Sequence, residues 1–164
     1  MVKGWAAGRA LSAIAATGVQ HAMVNAGGDV AVLGNALAGH EPTGWNVAIT
    51  NPQQPKEHLT VTTLRRGGIA TSGGYERGSL AIDPHSRQVV QRLASASVLA
   101  ADLGLADACA TAATAQGPAA LDWLDDLGLA ALLVTLDGTV LTTGCWQGPA
   151  PDGHAPPALK NLRT

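Results

Sequence analysis

Phenylalanine is absent from this 164-residue chain, and its aromatic residues are four Trp and one Tyr. Any core must therefore be built from small and aliphatic side chains, with Ala, Val and Leu the main source. Charge is scarce as well: 13% of residues are charged, and the net charge is -2. The longest Lys/Arg run is Arg65-Arg66, which excludes the basic patch that draws a protein to nucleic acid or to an anionic membrane. The two cysteines, Cys109 and Cys145, have neither CxxC nor Cys/His ligand spacing and read as small, unpaired hydrophobes. No segment approaches the roughly 18 consecutive apolar residues of a membrane span. Met1-Val2-Lys3-Gly4-Trp5 also lacks the charged-then-apolar pattern of a secretory start. A disordered chain would be poorer in aliphatics and more highly charged, so the 46% hydrophobic content indicates a globular domain. The length suits a single domain with a real core.

The pattern along the chain alternates between strands and Ala-rich helices. Residues 5–17 are apolar nearly all round and precede Gly18, which predicts a buried helix with a glycine C-cap. Strand signals follow at 21–25, 29–33, 45–50, 59–64, 68–72 and 94–100. Residues 103–115 have the composition of a helix. A second helix is expected over 119–127, with Pro118 in its first turn. Asp137-Gly138 between 129–136 and 139–143 is a strong hairpin signal. The order predicts an α+β fold with a mainly antiparallel sheet. Residues 1–146 would form the domain, and the Gly/Pro-rich 147–164 a loosely held tail.

Three segments carry the residue types of a site. In Asn25-Ala26-Gly27-Gly28-Asp29, paired glycines between strand halves mark either a simple turn capped by Asp29 or a close approach to a ligand. The second segment, 67–78, combines glycines, Thr71, Ser72, Tyr75 and Arg77. It can cradle phosphate through backbone donors and an Arg fork, or be an ordinary exit from a strand. It lacks the Lys-Ser/Thr ending of a P-loop. In the third, Asp107 and Thr111 lie four apart and share one helix face. An acid and a hydroxyl among small residues suit Mg²⁺, which takes few carboxylates and leaves room for phosphate oxygens. The bland alternative is a solvated acid with a Thr bonded back to the helix.

Taken in order, these pieces resemble the ApbE family of FAD:protein FMN transferases. The matching segments are Lys3-Gly4-Trp5-Ala6, Val24 to Val30, Ala70 to Arg77, Ile82-Asp83-Pro84 and Ala106 to Thr111. The resemblance implies an ApbE-type, T-fold-like architecture, of which this chain would be the C-terminal part, with Met1 standing inside the family domain. It implies transfer of FMN from FAD to a Thr of an acceptor protein, with release of AMP. It assigns Asp107, Thr111 and a backbone carbonyl near Val2 to Mg²⁺, and places Lys3, Asn25, Gly27, Gly28, Asp29, Thr71, Ser72 and Gly73 around FAD. Family members are often exported and lipid-anchored. The chain departs from the family pattern at Leu80, where a catalytic His is usual, and at Gly8, where an acid is usual. Leu cannot accept a proton, and His85 is the nearby substitute. An impaired, FAD-binding or structural remnant of the family is the alternative reading.

Overall fold

The computed structural model describes residues 2–36, 44–73, 81–83 and 86–148. Helix α1 spans Val2–Ala16, α2 Leu103–Gln116 and α3 Ala120–Asp126. The strands are β1 Ala22–Ala26, β2 Asp29–Leu33, β3 Trp45–Thr50, β4 His58–Leu64, β5 Arg66–Gly73, β6 Ala81–Ile82, β7 Val89–Val90, β8 Ser95–Ala100, β9 Ala130–Val134 and β10 Val140–Thr142. Six strands form one sheet in the order β1-β2-β5-β8-β9-β10, and every pairing is antiparallel. The expected α+β class and antiparallel sheet are both present. The short β6–β7 hairpin was not anticipated, because two-residue strands leave no periodic signal.

Strand alternation divides the sheet into two faces. Val30, Val32, Ile69, Leu132 and Val134 point to one side, where the β3–β4 hairpin brings Ile49, Trp45 and Val47 against them. Ala31 and Ala70 point to the other side, joined by Ala7, Leu103 and Ala106 of α1 and α2. Further along that face, Ala96, Val98, Ala131 and Leu133 pack with Cys109, Ala110 and Ala113 of α2 and with Leu124 of α3. The Ala-rich stripe of α2 therefore has a structural purpose. Small side chains let the helix lie close against β5 and β8 in a core without Phe.

The first helix corrects one expectation. It is not buried: only Gly4 and Ala7 are closed off from solvent, while Trp5 is 62% exposed. Among the described residues α1 rests on β1, β2 and α2 with one narrow stripe, and nothing covers its outer side. An all-round apolar sequence states what a helix tolerates, not how many neighbours it has. The C-cap expectation fits: Gly18 has φ +90° and its N–H reaches Ala15 O at 3.0 Å.

Candidate functional site

The site forms where the first turn of α1, the β1–β2 turn and the middle of α2 meet. The β1–β2 connection is a two-residue hairpin turn, with Ala26 paired to Asp29 across it. Gly27 and Gly28 have φ of +60° and +92°, the left-handed pair that a twisted two-residue hairpin requires. Asn25 secures the turn, its Oδ1 accepting the Gly28 N–H at 3.0 Å. The capping residue is thus Asn25 and not Asp29.

Asp29 instead turns inward and is fully buried. Lys3 Nζ stands 3.2 Å from its Oδ2 and 3.4 Å from Gly27 O, so α1 is tied to the hairpin by one ammonium. Neither Asp29 carboxylate oxygen receives a well-aligned hydrogen bond. Burial pushes the Asp29 carboxyl above its ordinary value; Lys3 opposes this, Asp107 adds to it, and the Thr71 amide pulls weakly back.

Asp107 is buried too, at 6% exposure, so the solvated-acid reading does not describe it. Its Oδ2 accepts the Gly4 N–H at 3.0 Å, one of the first-turn donors that a helix cannot satisfy internally. Gly4 makes this approach possible. A Cβ there would sit 2.6 Å from Asp107 Cβ and 2.7 Å from Leu103 O. One turn further on, Thr111 Oγ1 donates to Asp107 O at 2.9 Å, the back-bonded geometry of the bland reading. Its hydroxyl oxygen keeps an acceptor lone pair in that arrangement.

The expected residues divide into two groups. Lys3, Gly4, the Asn25–Asp29 turn, Asp107 and Thr111 are gathered around the α1–α2 contact, and Val2, with an exposed side chain, precedes Lys3 in the first turn of α1. Ser72, two residues beyond Ala70 and paired with Ala96, is on the α2 face of β5. Thr71 is not: its hydroxyl is 2.8 Å from Ser97 Oγ on the opposite face of the sheet, and only its amide is directed to Asp29. Gly73 closes the strand. Leu80, Tyr75, Arg77 and His85 lie outside the described residues. Nearby Asp83 is described, bonded to Arg92 Nη2 at 2.9 Å, and β6 packs against α2. The role of Gly4 was missed in the sequence, although the Lys-Gly pair was its visible trace.

An oxygen-only donor set of this kind suits a hard divalent cation. Two buried acids, Asp29 and Asp107, lie near each other under the α1–α2 contact, and the Lys3 ammonium is paired with Asp29. Asp107 and Thr111, one helical turn apart, are the described side chains here whose oxygens such an ion could use. A separate cleft of about 400 Å³ lies along α1, lined by Trp5, Gly8, Arg9, Ser12 and Arg66 among others. It touches none of Lys3, Asp29 or Asp107; buried charge, not concavity, marks the site.

Comparison with known proteins gives this geometry a context. The family model described as the ApbE family matches residues 1–144. The FAD:protein FMN transferase of Rhodobacter capsulatus is 35% identical over 154 residues, covering 86% of this chain and 28% of that protein. The flavinyl transferase ApbE of Pseudomonas stutzeri superposes with a TM-score of 0.72 at 26% identity, over 87% of this chain and 46% of that one. The ApbE protein of Thermotoga maritima gives a TM-score of 0.76 at 24% identity, over 87% and 49%, a likeness of fold. This chain spans about half the length of these solved structures and less than a third of the Rhodobacter protein. With a matching family model over most of its length and a shared antiparallel architecture, the chain belongs to the ApbE family.

Proposed function

We propose that this chain forms part of a Mg²⁺-dependent FAD:protein FMN transferase, which moves FMN from FAD to a Thr hydroxyl of an acceptor protein and releases AMP. The observation that carries this reading is the Gly4 N–H to Asp107 Oδ2 bond of 3.0 Å. It brings the first turn of α1 to the helix that bears Asp107 and Thr111, where the likeness to the family would add the Val2 carbonyl as a third oxygen. Bound there, Mg²⁺ would neutralise the pyrophosphate and stabilise charge on the phosphoryl group in transfer. Lys3 supplies a cationic donor beside the Gly27-Gly28 turn, whose lack of side chains lets a dinucleotide approach the backbone. Ser72 borders the same face, and Asn25 holds the turn in shape.

The test is intact mass spectrometry of a Thr-bearing acceptor after incubation with this protein, FAD and Mg²⁺. The expected result is acceptor carrying one FMN, abolished by Asp107→Asn, which keeps an oxygen for Gly4 N–H but removes the charge. An unlabelled acceptor that an active homologue does label overturns the reading. Leu80 at the usual His position favours a second reading, an FAD-binding member without transfer activity. Under that reading FAD binds and the acceptor stays unlabelled; labelling restored by Leu80→His would mark a damaged enzyme rather than a repurposed binder.

A further inference from the structure

Cationic side chains are few in this chain, 10 Lys and Arg in 164 residues, yet two arginines from separate elements line one cleft. Arg9 of α1 and Arg66 of β5 both border the cavity of about 400 Å³ beside α1. Among the described residues neither guanidinium has an ion pair or a hydrogen bond. The one acid lining the cleft is Asp102, whose Oδ1 accepts the Leu105 N–H at 2.8 Å as the N-cap of α2. We infer that this cleft is the docking groove for the acceptor protein, and that it takes an acidic segment flanking the Thr to be modified. The inference rests on the transferase reading.

Two features of the cleft favour a protein segment over a small anion. The first is its length. The lining residues on α1 run from Trp5 to Ala15, which at 1.5 Å per residue is about 15 Å, and an extended segment of about five residues spans that distance. The second is where it begins. Trp5 directly follows Gly4, whose N–H is on Asp107, and Gly104 in the cleft wall precedes Asp107 on α2. A segment lying in the cleft therefore brings one end toward the proposed cation site, where its Thr would be presented. Trp5, 62% exposed at that end, offers an apolar face to the residues beside the Thr. Arg9 is one turn further along α1, so acids within roughly five residues of the Thr would come within reach of the guanidiniums. The planar fork of Arg matches a carboxylate in geometry, and complementary charge also steers the acceptor to the groove.

The test is fluorescence anisotropy with three labelled peptides of about twelve residues, each with a central Thr flanked on both sides by Asp, Asn or Lys. It is run at about 0.15 M salt, where charges outside the cleft are largely screened. Wild type should bind the Asp peptide about fivefold or more tighter than the Asn peptide, as two modest ion pairs would give, and the Lys peptide most weakly. Arg9→Gln/Arg66→Gln should lose the Asp preference, and Arg9→Glu/Arg66→Glu should bind the Lys peptide best. Lys56→Glu, a reversal at a residue that does not line the cleft, should keep the wild-type order. Equal binding of the Asp and Asn peptides by wild type, or an unchanged order in both double variants, overturns the inference. FMN labelling of an acceptor is read on the same proteins by mass spectrometry. Arg9→Gln/Arg66→Gln should raise KM for the acceptor and leave KM for FAD unchanged; a raised KM for FAD alone assigns the cleft to the dinucleotide and overturns the inference. If wild type labels no acceptor that an active homologue labels, the transferase reading falls and the docking role falls with it. If labelling occurs and the peptide order is wrong, this inference alone falls.

Discussion

Replacing Gly4 by Ala sets two well-understood effects against each other. In an open helix, Gly→Ala stabilises by about 1 kcal/mol through backbone entropy. At Gly4 the added methyl would lie 2.6 Å from Asp107 Cβ and 2.7 Å from Leu103 O, roughly an ångström inside normal contact. The obstacles are a Cβ and a backbone carbonyl on α2, neither the free end of a flexible chain. Overpacking of this kind costs about 1–3 kcal/mol. Moving α1 away also lengthens the Gly4 N–H to Asp107 bond, a charge-assisted contact worth about 1.5–3 kcal/mol. After the helix propensity gain, the net expectation is a loss of about 1.5–5 kcal/mol. Gly8 is the control on the same helix, because its nearest neighbour would be Leu103 Cβ at 3.9 Å, ordinary contact. Gly8→Ala should stabilise by about 0.5–1 kcal/mol. Urea unfolding followed by circular dichroism measures both. A Gly4→Ala protein as stable as Gly8→Ala would refute the close docking of α1 on α2.

Other expectations concern single groups. Thr143 is buried, accepting the Ala131 N–H at 2.9 Å and donating to Leu129 O at 2.8 Å; Thr143→Val should cost about 1–3 kcal/mol in urea unfolding, and Thr143→Ser clearly less. Because burial raises the Asp29 pKa, the folded state holds that proton more tightly than the unfolded chain, so the Asp29 contribution to metal-free stability should fall as pH rises from 3.8 through the folded value. Unfolding midpoints of wild type and Asp29→Asn, taken from about pH 3.5 to about pH 6.5, should diverge in favour of the variant as pH rises; convergence contradicts the assignment. Asp107→Asn should abolish Mg²⁺-induced thermal stabilisation while the metal-free protein remains folded, as read by differential scanning fluorimetry.

Much of the secondary structure could be read from local pattern. The β3 strand and its stop at Asn51-Pro52, the Asp137-Gly138 hairpin and the Ala-rich α2 are each determined by neighbours in the sequence. The spacing of Asp107 and Thr111 likewise puts them on one helix face wherever that helix goes. Local pattern failed where the answer depended on what lies opposite. It predicted a buried α1, and the structure leaves Trp5 and Val2 exposed. It grouped Thr71 with Ser72, but a strand sends adjacent side chains to opposite faces, and Thr71 bonds Ser97 instead.

What the sequence alone determined, then, is the order of the longer elements, the family, and an acid and a hydroxyl one helical turn apart. Tertiary structure decided which groups meet. It buried Asp29 beneath Lys3, brought the Gly4 N–H to Asp107, and set two acids from distant segments close enough to influence each other. The physical reason is range. Periodicity and turn chemistry act over a few residues, whereas Gly4 and Asp107 are 103 positions apart and meet only because a missing side chain lets two helices close on each other.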